Sequence, residues 1–326
     1  MRVDGTLLPT EHDILTPESS QKLVYSLLDT EQIAKFEREW ELDLSFGIQG
    51  MGRFRTNVFR QRGAVGSVLR VIPENVLGLD KLGLPVELCQ RLCEMPKGLV
   101  LVTGATGSGK STTLAAMLDY INDHRREHVI TIEDPIEFVH KNKQCLFNQR
   151  EVGSDTKGFG KALRAVLRQD PDVVLVGEMR DAETIEAALT LSETGHLTFG
   201  TLHTSDAVQT INRIIDVFPS HQQPQVRTQL SFTLQSVFCQ QLLPRKTGKG
   251  RVLCAEVMVV NAAVRSLIRE DKAHQIYSII QTGGRTGMRT MNQALADLVK
   301  TNQAHLDEAL AHSSDVDDLK RQLQTN

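Results

Sequence analysis

Apolar residues are spaced in two different ways along this chain. Before about residue 75, helical spacing in "SSQKLVYSLLD" and around "EQIAKFEREWEL" gives way to strand-like alternation in "LDLSFGI", "GRFRTNVFRQRG" and "AVGSVLRVIP". That succession predicts a small α+β domain over residues 1–75. The Pro- and Gly-rich "PENVLGLDKLGLP" predicts a linker over 76–83. From residue 98, within a second domain spanning 84–326, solid apolar strands in "GLVLVTG", "HVITIEDP", "DVVLVGE" and "LTFGTLH" alternate with amphipathic "STTLAAMLDYIN", "FGKALRAVLRQDP" and "DAETIEAALTLSETG". Continuous apolar strands separated by helices predict a parallel sheet covered on both faces. After residue 205 the spacing is mostly helical: "AVQTINRIIDVF", "QVRTQLSFTLQSVFCQQLL", "NAAVRSLIR" and "MNQALADLVK", with one strand near "RVLCAEVMVV". The polar tail "SSDVDDLKRQLQTN" predicts a final surface helix.

Composition narrows the classes. With 37 Lys and Arg against 40 Asp and Glu, the formal charge of -3 supplies no bulk attraction to nucleic acid or acidic membrane. No apolar run approaches the roughly 18 residues of a membrane span, and "MRVDGTLLPTEHD" lacks the basic and apolar parts of a signal peptide, so the expected location is the cytoplasm. Five cysteines, an odd number without paired spacing, fit reduced buried thiols. Cys89 and Cys93, one helical turn apart, are expected in a core rather than on zinc.

The strongest chemical signal is "GATGSGKS", residues 104–111, a full match to G-x-x-x-x-G-K-[ST] between a strand and a helix. Gly104, Gly107 and Gly109 let the backbone curl so that N–H groups face phosphate oxygens, and the helix N-terminus adds partial positive charge. Lys110 then reaches the β and γ phosphates, and the Ser111 hydroxyl can ligate Mg²⁺.

Parallel strands deliver their carboxyl ends to one crevice, which makes the acids that end the other apolar strands candidates. In "VVLVGEMRD" only Glu178 is available, because Gly177 stands where an aspartate ligand would be expected. "TIEDPIE" offers Glu133, Asp134 and Glu137 for a water-activating base. "TGHLTFGTLHT" places His196 and His203 at the two ends of one strand, and His203, beside Thr201, Thr204 and Ser205, is the one positioned to sense a phosphate.

Together these blocks resemble the secretion ATPase superfamily, with "GATGSGKS" as Walker A, "ITIEDPIE" as Asp box, "LVGEMRD" as an atypical Walker B and "TGHLTFGTLHT" as His box. More narrowly, "RGAVGSVLRVIPENV", "NQREVGSDTKGF", "LRQDPDVVLVGEMRD" and "AVRSLIRE" resemble the PilT-like branch, the type IV pilus retraction ATPases of twitching motility, over nearly the whole chain. The resemblance implies an α/β fold: a RecA-like P-loop ATPase domain with a parallel sheet and C-terminal helices, behind a PAS-like α+β domain. It implies a homohexameric ring that converts ATP hydrolysis into pilus disassembly at the cytoplasmic face of the inner membrane. The implied cofactors are ATP and Mg²⁺, and the implied partners are an inner-membrane platform protein at the pilus base and, through it, pilins.

Carried over by position, Gly104, Ala105, Thr106, Gly107, Ser108, Gly109, Lys110, Ser111 and Thr112 cradle the nucleotide, Glu137 acts as general base, and Ser111 and Glu178 serve the metal. His203 would contact the γ phosphate. Arginines of the N-terminal domain reach the nucleotide in this family, and Arg55 and Arg70 fit best, with Arg53, Arg60 and Arg62 nearby. The helix "AVRSLIRE" corresponds to a motif needed for retraction rather than hydrolysis; it reads either as a partner-facing element or as an amphipathic packing helix. Family members begin with a further helix and strand bearing an Asp-Leu-His-Leu type segment, whereas this chain opens at "MRVDGTLLP": either the start is misassigned or truncated, or the N-terminal domain is shortened and tolerates losing an element, in which case an exposed edge strand would follow.

Competing readings are the accessory retraction paralogue, and the extension or type II secretion ATPases, which carry two paired-cysteine zinc motifs absent from this sequence. A RecA-like nucleic-acid translocase is disfavoured by net charge and the lack of an aromatic-and-basic stripe. A non-hydrolysing nucleotide-gated scaffold is the third class, suggested by the atypical Walker B.

Overall fold

The alternating stretches near the N-terminus become strands of a small antiparallel sheet in the computed structural model, which describes residues 1–3, 6–48, 51–73 and 75–324. The chain divides into two units, Met1–Pro73 and Glu74–Asn326. In the smaller unit, β1 (Arg2–Val3) and β2 (Thr6–Leu7) form a short ladder, followed by helices α1 (Pro17–Tyr25) and α2 (Thr30–Glu39). Both helices begin with capping boxes, Thr16 with Ser19 and Asp29 with Gln32, which satisfy N–H groups that the first turn leaves open. Strands β3 (Glu41–Ile48), β4 (Gly52–Gln61) and β5 (Ala64–Ile72) pair in sequence order. Val24, Phe36, Leu42, Leu44, Val58 and Val65 make the core of this unit.

The larger unit is built on seven strands: β6 (Gly98–Thr103), β7 (His128–Glu133), β8 (Leu146–Glu151), β9 (Val173–Val176), β10 (Leu197–Leu202), β11 (Leu234–Pro244) and β12 (Arg251–Val259). Their order is β12-β11-β6-β10-β9-β7-β8, parallel throughout except for the β11–β12 pair. Every residue of β6, β9 and β10 is buried, as the continuous apolar runs require. One face is covered by α5 (Phe159–Val166), α6 (Ala182–Glu193), α7 (Ala207–Asp216), α8 (Gln223–Thr233), α9 (Ala262–Arg269) and α10 (Ile276–Thr282); α3 (Val86–Cys93) and α4 (Lys110–His124) cover the other. Helices α11 (Met291–Lys300), α12 (Leu306–His312) and α13 (Val316–Gln324) pack on β11 and β12. No helix among the described residues is long and apolar enough to cross a membrane.

Three expectations change. The long helix expected over "QVRTQLSFTLQSVFCQQLL" breaks at Thr233, and "LQSVFCQQLLP" is strand β11. Leu230, Leu234 and Phe238 mimic helical spacing, but β11 pairs in parallel with β6 and gives that central strand its second neighbour. Tertiary pairing outweighs local pattern there. The stretch 76–83, expected as a linker, contributes Leu79 and Leu82 to the core with α3 and α4. The tail helix α13 is not a surface element alone: Leu319 is fully buried, and the Asp318 carboxylate accepts from Asn292 Nδ2 at 2.8 Å. All five cysteines are buried and free, Cys89 and Cys93 within the core that α3 and α4 share.

Candidate active site

Strand β6 leads into the loop 104–109, which folds tightly because its glycines allow it. Gly107 and Gly109 have φ of 80° and 93°, in the left-handed region, and a Cβ on Gly104 would collide with the Gln240 carbonyl and the Ser108 side chain. The buried Gln240 of β11 also donates to Thr113 Oγ1 at 2.8 Å, fixing the first turn of α4. Lys110 folds back on the loop, its Nζ donating to the carbonyls of Gly104 at 2.7 Å and Ala105 at 3.1 Å. Burial lowers the pKa of this ammonium, while Glu178 and Glu137 oppose the shift. Two carboxylates from different strand ends thus face one cation.

Sheet register explains that meeting. Val176 of β9 lies beside Gly200 of β10 and beside Ile132 of β7, so the residues that follow these strands emerge on the edge where Thr103 hands over to the loop. Gly177 is where β7 comes too near for a side chain: its N–H donates to the Ile132 carbonyl at 2.8 Å, and a Cβ would sit 2.9 Å from that oxygen. The absence of an aspartate there follows from packing. Glu178, the next residue, accepts from Arg180 Nε at 2.5 Å and lies 3.2 Å from His203 Nε2. With Leu202 and Arg213, these side chains line a cavity of about 470 Å³.

Two acids lie beside the turn that carries Glu137: Glu133, itself a candidate base in the sequence, and Glu151, which sequence reasoning left without a role. The Glu133 carboxylate accepts from Thr131 Oγ1 at 2.6 Å and from Gln149 Nε2 at 3.2 Å, and burial raises its pKa. Buried Glu151, at the end of β8, accepts the Ile136 N–H at 3.1 Å. The turn bearing Glu137 is therefore held from β8 through the Ile136 N–H, while Glu137 itself stays exposed. For Glu151 the signal was an acid closing "NQREVG", a stretch otherwise read only for its resemblance.

His196, at the opposite end of β10, has Nδ1 3.0 Å from the Leu191 carbonyl and 3.2 Å from Thr194 Oγ1, a structural contact. The "AVRSLIRE" helix also sits away from the loop. Arg265 donates to the carbonyls of Ser231 at 2.8 Å and Phe232 at 3.0 Å, closing the C-terminus of α8, and Val264 and Ile268 are buried. Most of its apolar face is thus used within the fold.

Arg55 and Arg70 lie in the smaller unit, directly opposite each other on β4 and β5, and both are exposed. Arg60 is engaged locally, paired with Glu37 and lying 5.9 Å and 5.5 Å from the ring centres of Phe36 and Trp40.

A mostly parallel sheet with a glycine loop, a lysine folded back on that loop and acids at neighbouring strand ends defines a P-loop ATPase. Comparison with known proteins agrees. Residues 43–311 match the model of the type II/IV secretion system protein family, and the chain belongs to that family. The chain is 53% identical over 299 residues to the type IV pilus retraction ATPase PilT of Pseudomonas aeruginosa, covering 92% of this chain and 86% of that protein. To the type IV pilus ATPase PilU of the same organism it is 40% identical over 320 residues, covering 98% and 84% of the two chains. A crystal structure of the pilus retraction motor PilT with bound ADP superposes with a TM-score of 0.89 at 53% identity, covering 94% of this chain and 87% of that one.

Proposed function

We propose that this ATPase is a motor for type IV pilus retraction, working as a homohexamer at the cytoplasmic face of the inner membrane and acting on pilins through a platform protein at the pilus base. The observation that carries the reading is the meeting of Glu137, Glu178 and Lys110 at one strand edge in a chain 53% identical to a retraction ATPase. The lower identity to PilU, 40%, favours the principal motor over its accessory paralogue.

The loop from Gly104 to Gly109, with Lys110, Ser111 and Thr112, binds the triphosphate of ATP. The Ser111 hydroxyl and the Glu178 carboxylate, both oxygen donors, would hold Mg²⁺, which would supply positive charge to offset that of the triphosphate. Glu137 takes the proton of the attacking water. His203, next to Glu178, contacts the γ phosphate and reports its loss. Arg55 and Arg70 reach the nucleotide of a neighbouring subunit; like charges directly opposite on a sheet are destabilising, and an anionic ligand would offset that cost.

Glu137→Gln is expected to lower kcat by roughly 10²–10⁴-fold with nucleotide affinity nearly unchanged. Unchanged turnover would remove Glu137 as the base. Mixing Arg55→Ala with Lys110→Ala protein is expected to restore part of the activity, since mixed rings contain interfaces with both groups intact; no recovery at any ratio would exclude action in trans. A solution mass other than that of six chains in the presence of nucleotide would exclude the hexamer.

A further inference from the structure

Between β7 and β8 the chain runs from Asp134 to Cys145 without entering a helix or a strand, so the course of the segment that carries Glu137 is not set by a helical or sheet ladder. Side chains of β8 set it instead. Phe147, Gln149 and Glu151 alternate along that strand and therefore stand on one face of it. The segment folds back over that face in reverse order. The His140 ring stacks on Phe147 with centroids 4.8 Å apart, Gln149 binds the main chain at His140 and Phe138, and Glu151 takes the Ile136 N–H. Beyond His140 the anchor is a different one: fully buried Asn122 of α4 donates to the Lys141 carbonyl at 2.7 Å and accepts the N–H groups of Lys143 at 3.1 Å and Cys145 at 3.3 Å.

Within this clamp Gln149 makes the most bonds. Its Oε1 accepts the His140 N–H at 2.8 Å, and its Nε2 donates to the Phe138 carbonyl at 2.9 Å and to Glu133 Oε1 at 3.2 Å. An amide end supplies an acceptor and two donors together, and here all are engaged. Because Glu133 closes β7, one side chain ties the end of that strand to the segment that follows it. Glu137 lies between the two anchors, with Ile136 fixed by Glu151 on one side and Phe138 fixed by Gln149 on the other. A base must meet its water in a narrow geometry, and a misplacement of about 1 Å costs roughly 10²-fold in rate. An exposed carboxylate on an irregular segment keeps such a place only if its neighbours are held.

We propose that Gln149 is a positioning residue for ATP hydrolysis: its amide fixes the main chain at Phe138 and His140, opposite the Glu151 anchor at Ile136, and so sets where the Glu137 carboxylate meets the attacking water. This rests on the reading of Glu137 as the general base. The phosphate loop is held by its own glycines and by Gln240, so loss of the clamp leaves ATP binding intact. Gln149→Met keeps the length of the side chain but removes both donors and the amide acceptor, which separates the hydrogen bonds from packing.

The test uses the purified chain, with steady-state ATPase kinetics and thermal unfolding. Gln149→Met is expected to lower kcat per folded molecule about tenfold with KM for ATP within about twofold. Gln149→Ala, which also removes the stem, is expected to give the same fall and serves in the event that the first variant does not fold. In single-turnover assays on a Glu137→Gln background, Gln149→Met is expected to cost no further rate, as for two residues acting as a unit. A clamp that served stability alone would lower the unfolding midpoint and leave kcat per folded molecule unchanged. Normal kcat in either folded variant would therefore overturn the inference. So would a rise in KM at constant kcat, a loss explained by a smaller folded fraction, failure of both variants to fold, or a full further loss in the Glu137→Gln background. Normal turnover in Glu137→Gln alone would instead overturn the reading of Glu137 as base, and the inference with it.

Discussion

The two edges of the seven-stranded sheet use the same residue types for opposite purposes. Strand β10 has a histidine at each end: His203 is exposed beside Glu178, and His196 is bound to the Leu191 carbonyl. Each edge also has a long cation turned back on main-chain carbonyls: Lys110 on the loop after β6, where Glu178 and Glu137 face it, and Arg265 on the last turn of α8. The difference lies in strand polarity. At the carboxyl edge of a parallel sheet, loops and helix N-termini present N–H groups and positive partial charge to a shared crevice. At the amino edge, helices arrive with open carbonyls, and the polar side chains there are consumed in satisfying them. Residue type therefore says less about function than the end of the strand on which the residue falls.

Substitutions at the two edges should separate chemistry from stability. The largest effect is expected from Lys110→Ala, which should reduce ATP turnover by roughly 10²–10³-fold while leaving the unfolding midpoint close to that of the parent. Retained turnover would break the assignment of the carboxyl edge to the reaction. Arg265→Ala comes next: it leaves two α8 carbonyls without their donor and should cost about 1–3 kcal/mol in denaturant unfolding, with turnover per folded molecule unchanged. Lost turnover at full stability would place the amino edge in the chemistry. The smallest effect is expected from His196→Ala, about 0.5–1.5 kcal/mol and no kinetic change.

Much of the site could be read from residue order. The loop 104–111 carries its own geometry in its glycines, and the strands that lead to Glu133 and Glu178 announce themselves as uninterrupted apolar runs. Gly177 could be noticed but not explained, because the carbonyl that excludes a side chain belongs to Ile132, 45 residues earlier in the chain. Glu151 and Gln149 had weaker signals, single polar residues in or at the end of one strand, and most of their partners are backbone groups that no pattern of side chains records. Strand β11 was misread as helix for a related reason: its apolar positions satisfy both periods, and the neighbour β6 chooses between them.

Local order along this chain thus specified the phosphate loop, the strand and helix alternation and the set of candidate acids, since each depends on residues within a turn or a strand of one another. Strand order, and with it the meeting of Lys110, Glu137, Glu178 and His203, came from long-range pairing. Those contacts join segments many tens of residues apart, and their energy lies in burial and register, which no short window of sequence contains.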